Sequence, residues 1–399
     1  MPFLLAAIIL AFPLFAEEPR PLVTLPLTVT SHGIYVPASI NGNAPMLMQL
    51  DSAAGWHAVN WKTAGPMHLR LREHAAGAEG AGDGRTHASE VLDAKLSLSN
   101  LELPFSPAAA LDLDPVADLK GNDINGLLGA PLFKSYIVET DIGAGVFRLY
   151  DPATWHYRGR TQPLPVRVDD MGIPYIKLSF TIGANAPVEG EFIIDSAAGA
   201  TTIYLSAPFA SQHKILEAIR RSGGKPLADE VSGVGGSSRL WLARVRQARI
   251  GTVVFSRPVI GITEAKGGTL AGADSAGIVG GGFLHRFNVI FDCPHGRIYL
   301  EPTARLQEAF EEDMSGLKWI NVGEGRREFR VHAVSPDSPA AQAAVQPGDK
   351  LVSLDGRAAG EFDRSSLERY LRRPGRRLRL KFLRGDQPIE IKLTLKRMI

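Results

Sequence analysis

Two identical pentapeptides stand 144 residues apart, Asp51-Ser52-Ala53-Ala54-Gly55 and Asp195-Ser196-Ala197-Ala198-Gly199. A single Asp at a strand end usually caps a turn and signals little. Two copies in equivalent positions of related halves signal more, because pseudo-twofold packing brings both carboxylates to the axis. Two carboxylates that close cannot both ionise cheaply, so they share a proton and titrate as a coupled pair. One then acts as general base on a water while the other protonates a carbonyl oxygen.

The elements that must hold these groups are repeated too. MLMQL precedes the first Asp and EFII the second, each an apolar strand. Upstream, NGNAP (41–45) is echoed by GANAP (183–187), each a hairpin turn between strand-like runs. Downstream, GLLGAPLFKSYIVETDIGAGVFRL (126–149) aligns without gaps onto GIVGGGFLHRFNVIFDCPHGRIYL (277–300), at an offset of 151. Between the paired segments each half carries a glycine-rich stretch, 77–84 with Gly80 and Gly82, and 232–238 with Gly233, Gly235 and Gly236. Glycine frees the backbone, so each stretch reads as a mobile hairpin tip, either a lid over a cleft or a plain loop.

With these motifs the chain resembles an aspartic protease of the retropepsin-like and pepsin-like kind, with both lobes fused in one chain over roughly residues 25–302. The family signature is Asp, then Thr or Ser, then Gly, then Ala, Ser or Thr, followed farther on by two aliphatics and a Gly. The resemblance implies a mainly β, bilobal fold with Asp51 and Asp195 as catalytic carboxylates. Ser52 and Ser196 become the hydroxyls that hydrogen-bond across the lobes. Leu127-Leu128-Gly129 and Ile278-Val279-Gly280 become the segments behind the active-site loops, and the glycine-rich stretches become flaps. It implies peptide-bond hydrolysis of polypeptide substrates, without cofactor or metal, by a monomer. One departure stands out: Ala53 and Ala197 occupy the family's Gly position. The added Cβ leaves two expectations open, an active endopeptidase or a catalytically silent fold that binds peptide or protein. At the fourth position Ala54 and Ala198 offer no hydroxyl to the carboxylates, which predicts raised dyad pKa values and activity reaching toward neutral pH.

The remaining chain adds three expectations. Residues 2–16 are apolar and, at about 15 residues, short of the ~20 a spanning helix needs. They read as a signal peptide over 1–16, which predicts export to the periplasm or beyond, against an uncleaved anchor or a buried strand. Lobes are expected over 22–160 and 161–302. Leu306 and Phe310 at helical spacing predict a helical linker over 303–316. Residues 317–399 resemble a PDZ domain of the bacterial envelope-protease type. FRVHAV is a strand, Ser338-Pro339 a helix start, KLVSL a strand, 363–373 a second helix, and LRLKFLRG with IEIKLTLK a final hairpin. PDZ domains take extended peptides, often C-termini, along a sheet edge. Here LKWINVGEGRREF stands where a carboxylate-binding loop is expected, so peptide capture and a packing or regulatory role both remain open.

Composition sets the bounds. With 45% apolar and 22% charged residues, the 399-residue chain is globular, and 41 Gly and 27 Pro favour turn-rich β structure. A single cysteine, Cys293, excludes an intramolecular disulfide framework and Cys-based clusters. The net charge of +2 conceals a basic end, since residues 316–399 hold 18 Lys/Arg against 10 Asp/Glu. The basic run 372–385 lacks the aromatic interleaving of a nucleic-acid platform, so no nucleic-acid partner is expected. Ser211 and Lys214 lack the partner motifs of a serine acylase, Cys293 with His285 and His295 reads as structural, and His57 and His74 show no metal-ligand spacing.

Overall fold

The structure, a computed structural model, describes residues 19–399, with the backbone alone for 74–76. The expected signal segment lies outside the described residues. The protein is mainly β, 43% strand and 16% helix, so strand pairing sets almost every position that matters below.

The sequence repeat becomes two ten-stranded sheets, one built from residues 28–128 and the other from 167–279. Their strands follow the same spatial order, each strand of the first having its counterpart in the second. The NGNAP turn joins strands Gly33–Ile40 and Met46–Leu50. Asn41 and Gly42 both take the left-handed backbone (φ 50° and 71°) that tight hairpin turns require. Its counterpart joins Pro174–Thr181 to Val188–Ile194.

A third sheet draws strands from both halves, with Ile137–Asp141 pairing antiparallel to Phe287–Asp292. Val138 faces Phe291, Glu139 faces Ile290 and Thr140 faces Val289. Glu139 and Ile290 are themselves equivalent under the 151-residue offset, so the pseudo-twofold axis runs between them. One apolar cluster continues across both halves, from Val23 to Leu300. Within it Phe133 meets Phe291 edge-to-face at 4.9 Å. Burying each such ring contributes about 1.5–3 kcal/mol, which binds the halves without a cross-link.

The C-terminal unit is a six-stranded sheet with a separate core around Trp319, Phe329 and Phe382. Its elements fall where the residues placed them. Ser338 Oγ accepts from Ala341 N (3.2 Å) to cap Pro339–Gln342, and Asp363 caps Arg364–Tyr370. That helix ends at Tyr370, whose carbonyl could continue the ladder only to residue 374, and Pro374 has no N–H to give.

The helix expected over 303–316 does not form; a single 3-10 turn, Ala304–Gln307, stands there. The buried Arg286 guanidinium captures the carbonyls of Arg305 (3.1 Å), Leu306 (3.3 Å) and Glu308 (2.5 Å), which a helix would need for its own bonds. Phe310 lies against that guanidinium, 3.7 Å from ring centroid to cation, so its spacing from Leu306 serves packing and not helix periodicity.

Candidate functional site

Each aspartate sits where its strand leaves a three-stranded crossing. Met46–Leu50 runs parallel to Gly126–Leu128, and Asp51 N donates to Leu128 O (3.0 Å). In the second half Val188–Ile194 runs parallel to Gly277–Val279, and Asp195 N donates to Val279 O (3.0 Å). Asp51 Oδ1 accepts from Ala53 N (3.1 Å) and Ala54 N (3.0 Å). Asp195 Oδ1 accepts from Ala197 N and Ala198 N, both at 2.8 Å. Alanine at the third position therefore keeps its amide on the carboxylate in both halves. Neither alanine has the left-handed backbone that would make a Cβ costly.

Beneath the aspartates the two serines cross the axis. Ser52 Oγ donates to Ile194 O (2.6 Å) and accepts from Ser196 N (3.0 Å). Ser196 Oγ donates to Leu50 O (2.9 Å) and accepts from Ser52 N (3.1 Å). Both are fully buried (0% and 2% exposed). These four bonds fix the strand ends that carry the carboxylates, each worth about 1 kcal/mol net.

Gly129 and Gly280 pass close behind the aspartate loops. A Cβ on Gly129 would stand 2.2 Å from Trp56 O and 2.6 Å from Ala54 O, and one on Gly280 2.7 Å from Thr201 O. The next residues return the contact, Ala130 N donating to Ala54 O (2.7 Å) and Gly281 N to Ala198 O (3.0 Å). In the first half His57 adds a prop: Gly129 N donates to its Nδ1 (3.0 Å), so the neutral ring carries its proton on Nε2. Burial pulls the His57 pKa down to about 4.

The glycine-rich stretches meet over the site. Hairpin Arg70–Ala78/Thr86–Leu92 and hairpin Leu227–Gly233/Gly236–Arg244 touch at their tips. Gly82 N donates to Val234 O (3.1 Å) and Gly84 N to Gly235 O (2.9 Å). A Cβ on Gly82 would lie 2.4 Å from the Gly235 carbonyl carbon, and one on Gly80 2.8 Å from Val234 Cβ, so these tips interlock only as glycine. Gly235 and Gly236 turn the second hairpin at φ 88° and 101°, and Gly233 packs against Ala81.

Under the tips lies a cavity of about 650 Å³ lined by both aspartates, both hairpins and the C-terminal unit. Burial, first, raises both aspartate pKa values; mutual repulsion adds to this at Asp51, while Lys120 and the loop amides oppose it. The upward direction matches the expectation from the missing hydroxyls, but its cause is burial and proximity.

Two features escaped sequence reasoning. Lys120, the last residue of helix Asp114–Lys120, reaches into the cavity. Its Nζ donates to Ala197 O (2.9 Å) and to Gln49 Oε1 (3.2 Å). Burial lowers the Lys120 pKa and both aspartates oppose that fall. The second half has a 3-10 turn, Thr269–Ala271, in the corresponding stretch, so a search for repeats passes over this lysine. The seating of the C-terminal unit is the other feature. The unit forms a cavity wall with Leu317, Lys318, Trp319, His332, Arg364 and Glu368. It grips both halves through Lys318 Nζ to Asp229 Oδ2 (2.6 Å), His332 Nε2 to Glu230 Oε1 (3.1 Å), and His32 Nε2 to Glu368 Oε1 (2.6 Å). Cys293 is buried, which pushes its thiol up to about 12.

Comparison with known proteins identifies the class of the C-terminal unit: residues 330–384 match the family model of the PDZ domain. No curated protein matches the chain. Among solved structures a photosystem II D1 C-terminal processing protease is similar over 24% of this chain and 26% of its own length, at 20% identity and a TM-score of 0.22. The likeness thus spans about a quarter of that protease.

Proposed function

We propose that the protein is an aspartic-type endopeptidase, exported and acting on polypeptides, with both catalytic lobes in one monomeric chain and a PDZ domain that captures substrate or regulates access. In this reading Asp51 and Asp195 share one proton and hold a water between them. The ionised carboxylate takes a proton from that water as its oxygen bonds to the peptide carbonyl carbon. The protonated carboxyl gives its proton to the carbonyl oxygen. Collapse of the resulting diol breaks the C–N bond: the proton taken from the water goes to the leaving nitrogen, and one diol hydroxyl returns its proton to the other carboxylate, which restores the one-proton pair. The observation that carries the reading is the reciprocal Ser52–Ser196 crossing directly below two carboxylates, each held by two loop amides. Such a cross-brace holds a carboxylate pair in register, and a pair of structural turn caps has no need of it. No cofactor enters the step.

The test is cleavage of a denatured protein mixture from acidic to neutral pH by wild type and Asp195→Asn. Wild type should cleave, with activity extending above the ordinary carboxylate range because both pKa values are raised. Asp195→Asn should lose at least about 10²-fold of it. Cleavage that is absent, or indifferent to that substitution, removes the reading and leaves a peptide-binding fold.

A further inference from the structure

Helix Asp114–Lys120 touches the PDZ domain along its length, and its last residue lines the cavity that holds the aspartate pair. Arg326, its side chain 9% exposed, pairs with Asp114 (2.9 Å), Asp118 and Asp123 (3.0 Å). Gly121 ends the helix at φ 73° and wedges between Asn321 and Arg364. A Cβ there would stand 2.8 Å from Asn321 Oδ1 and 2.8 Å from Arg364 Cβ. Asn321 belongs to strand Leu317–Val322, the edge of the PDZ sheet, whose one strand partner is Glu328–Val334. Arg364 opens helix Arg364–Tyr370 and donates to Asn321 Oδ1 (3.1 Å). Gly121 thus lies in the groove between an edge strand and a helix, the kind of place where PDZ domains add an extended peptide. One residue back, Lys120 Nζ is bonded to Ala197 O, two residues beyond Asp195.

We propose that this helix is a resident ligand of the PDZ groove and an autoinhibitory strap, which keeps Lys120 in the cavity of the aspartate pair until the groove is taken by an extended peptide. The inference rests on the peptidase reading above. A fixed cation beside the pair favours the state in which both carboxylates are ionised, whereas hydrolysis needs one of them protonated. A peptide adding to the outer edge of Leu317–Val322 must displace Gly121, and with it Lys120.

The full chain is compared with Arg326→Ala, which releases the strap, and Lys120→Met, which leaves the strap docked but removes its charge. Three quantities are read: hydrogen exchange over 113–121, esterification of Asp51 and Asp195 by a small epoxide followed by mass spectrometry, and cleavage of denatured protein. Arg326→Ala should raise exchange in 113–121 and speed esterification and cleavage by about tenfold, the factor for a change of about 1.4 kcal/mol in the docking of the strap. Lys120→Met should speed both reactions with exchange unchanged. Should Arg326→Ala not fold, Asp118→Asn with Asp123→Asn removes two of its three carboxylate partners from the other side. Unchanged exchange in the released variant, or raised exchange with esterification as in wild type, overturns the strap. Faster esterification with no cleavage by any form supports the strap and removes the peptidase reading.

Discussion

Replacing Ser52 with Ala removes one hydroxyl from the cross-brace and nothing else. Ser52 is completely buried, and its Oγ serves Ile194 O at 2.6 Å and Ser196 N at 3.0 Å. The variant leaves one carbonyl and one amide short of a partner in a dry site. At about 1–3 kcal/mol for each buried group left unsatisfied, the loss sums to roughly 2–6 kcal/mol. For a body of this size 1 kcal/mol moves Tm by roughly 2–4 °C, so a fall of roughly 5–20 °C is expected. Scanning calorimetry of the full chain reads it directly. The double variant Ser52→Ala/Ser196→Ala should cost less than the two singles together, because once one hydroxyl is gone the strand ends can shift and admit water to the other. A single-variant fall below about 2 °C, or strict additivity, would refute the argument that these bonds hold a dry axis.

Two further outcomes follow from the props around the brace. His57 is held near 4 by burial while the unfolded residue titrates near 6.5. The unfolded state therefore binds more protons in that window, and the contribution of neutral His57 to stability is lost as pH falls from about 6.5 to 4, by up to about 3 kcal/mol. Other buried groups titrate in the same range, so the measurement is the difference between wild type and His57→Gln in urea unfolding. The Gln variant should gain on wild type as pH falls, and a constant difference would contradict the assignment. Gly129→Ala places a Cβ 2.2 Å from a backbone carbonyl that has no side-chain freedom to retreat. It should cost at least about 1–3 kcal/mol, visible as a lower denaturation midpoint, and an unchanged midpoint would show that the loop yields.

How much was legible depended on whether a residue was repeated. Asp51 and Asp195, the serines below them and Gly129 with Gly280 could be paired from sequence offsets alone, because each half must build the same crossing. The PDZ domain was legible for a different reason: its caps, turns and alternating strands are local. Lys120 was not legible, since a lone lysine at a helix end looks like a solvated surface charge until tertiary packing buries it. The linker failed because Arg286, distant from most of that segment in sequence, claims the carbonyls a helix would use. The seating of the PDZ domain as a cavity wall depends on ion pairs such as Lys318–Asp229, whose partners lie far apart in the chain.

The strand pairing at Glu139 and Ile290 carries a consequence for how the two halves differ. Two identical half-chains meeting across this axis would form a closed, self-complementary dimer in which every contact occurs twice. Such a dimer would have to offer its carboxylates two lysines or none. Covalent fusion lifts that constraint: one half keeps a helix and the other a single turn in the corresponding stretch. A lone PDZ domain can then hold a helix that only one half possesses, and a single lysine enters a nearly symmetric centre.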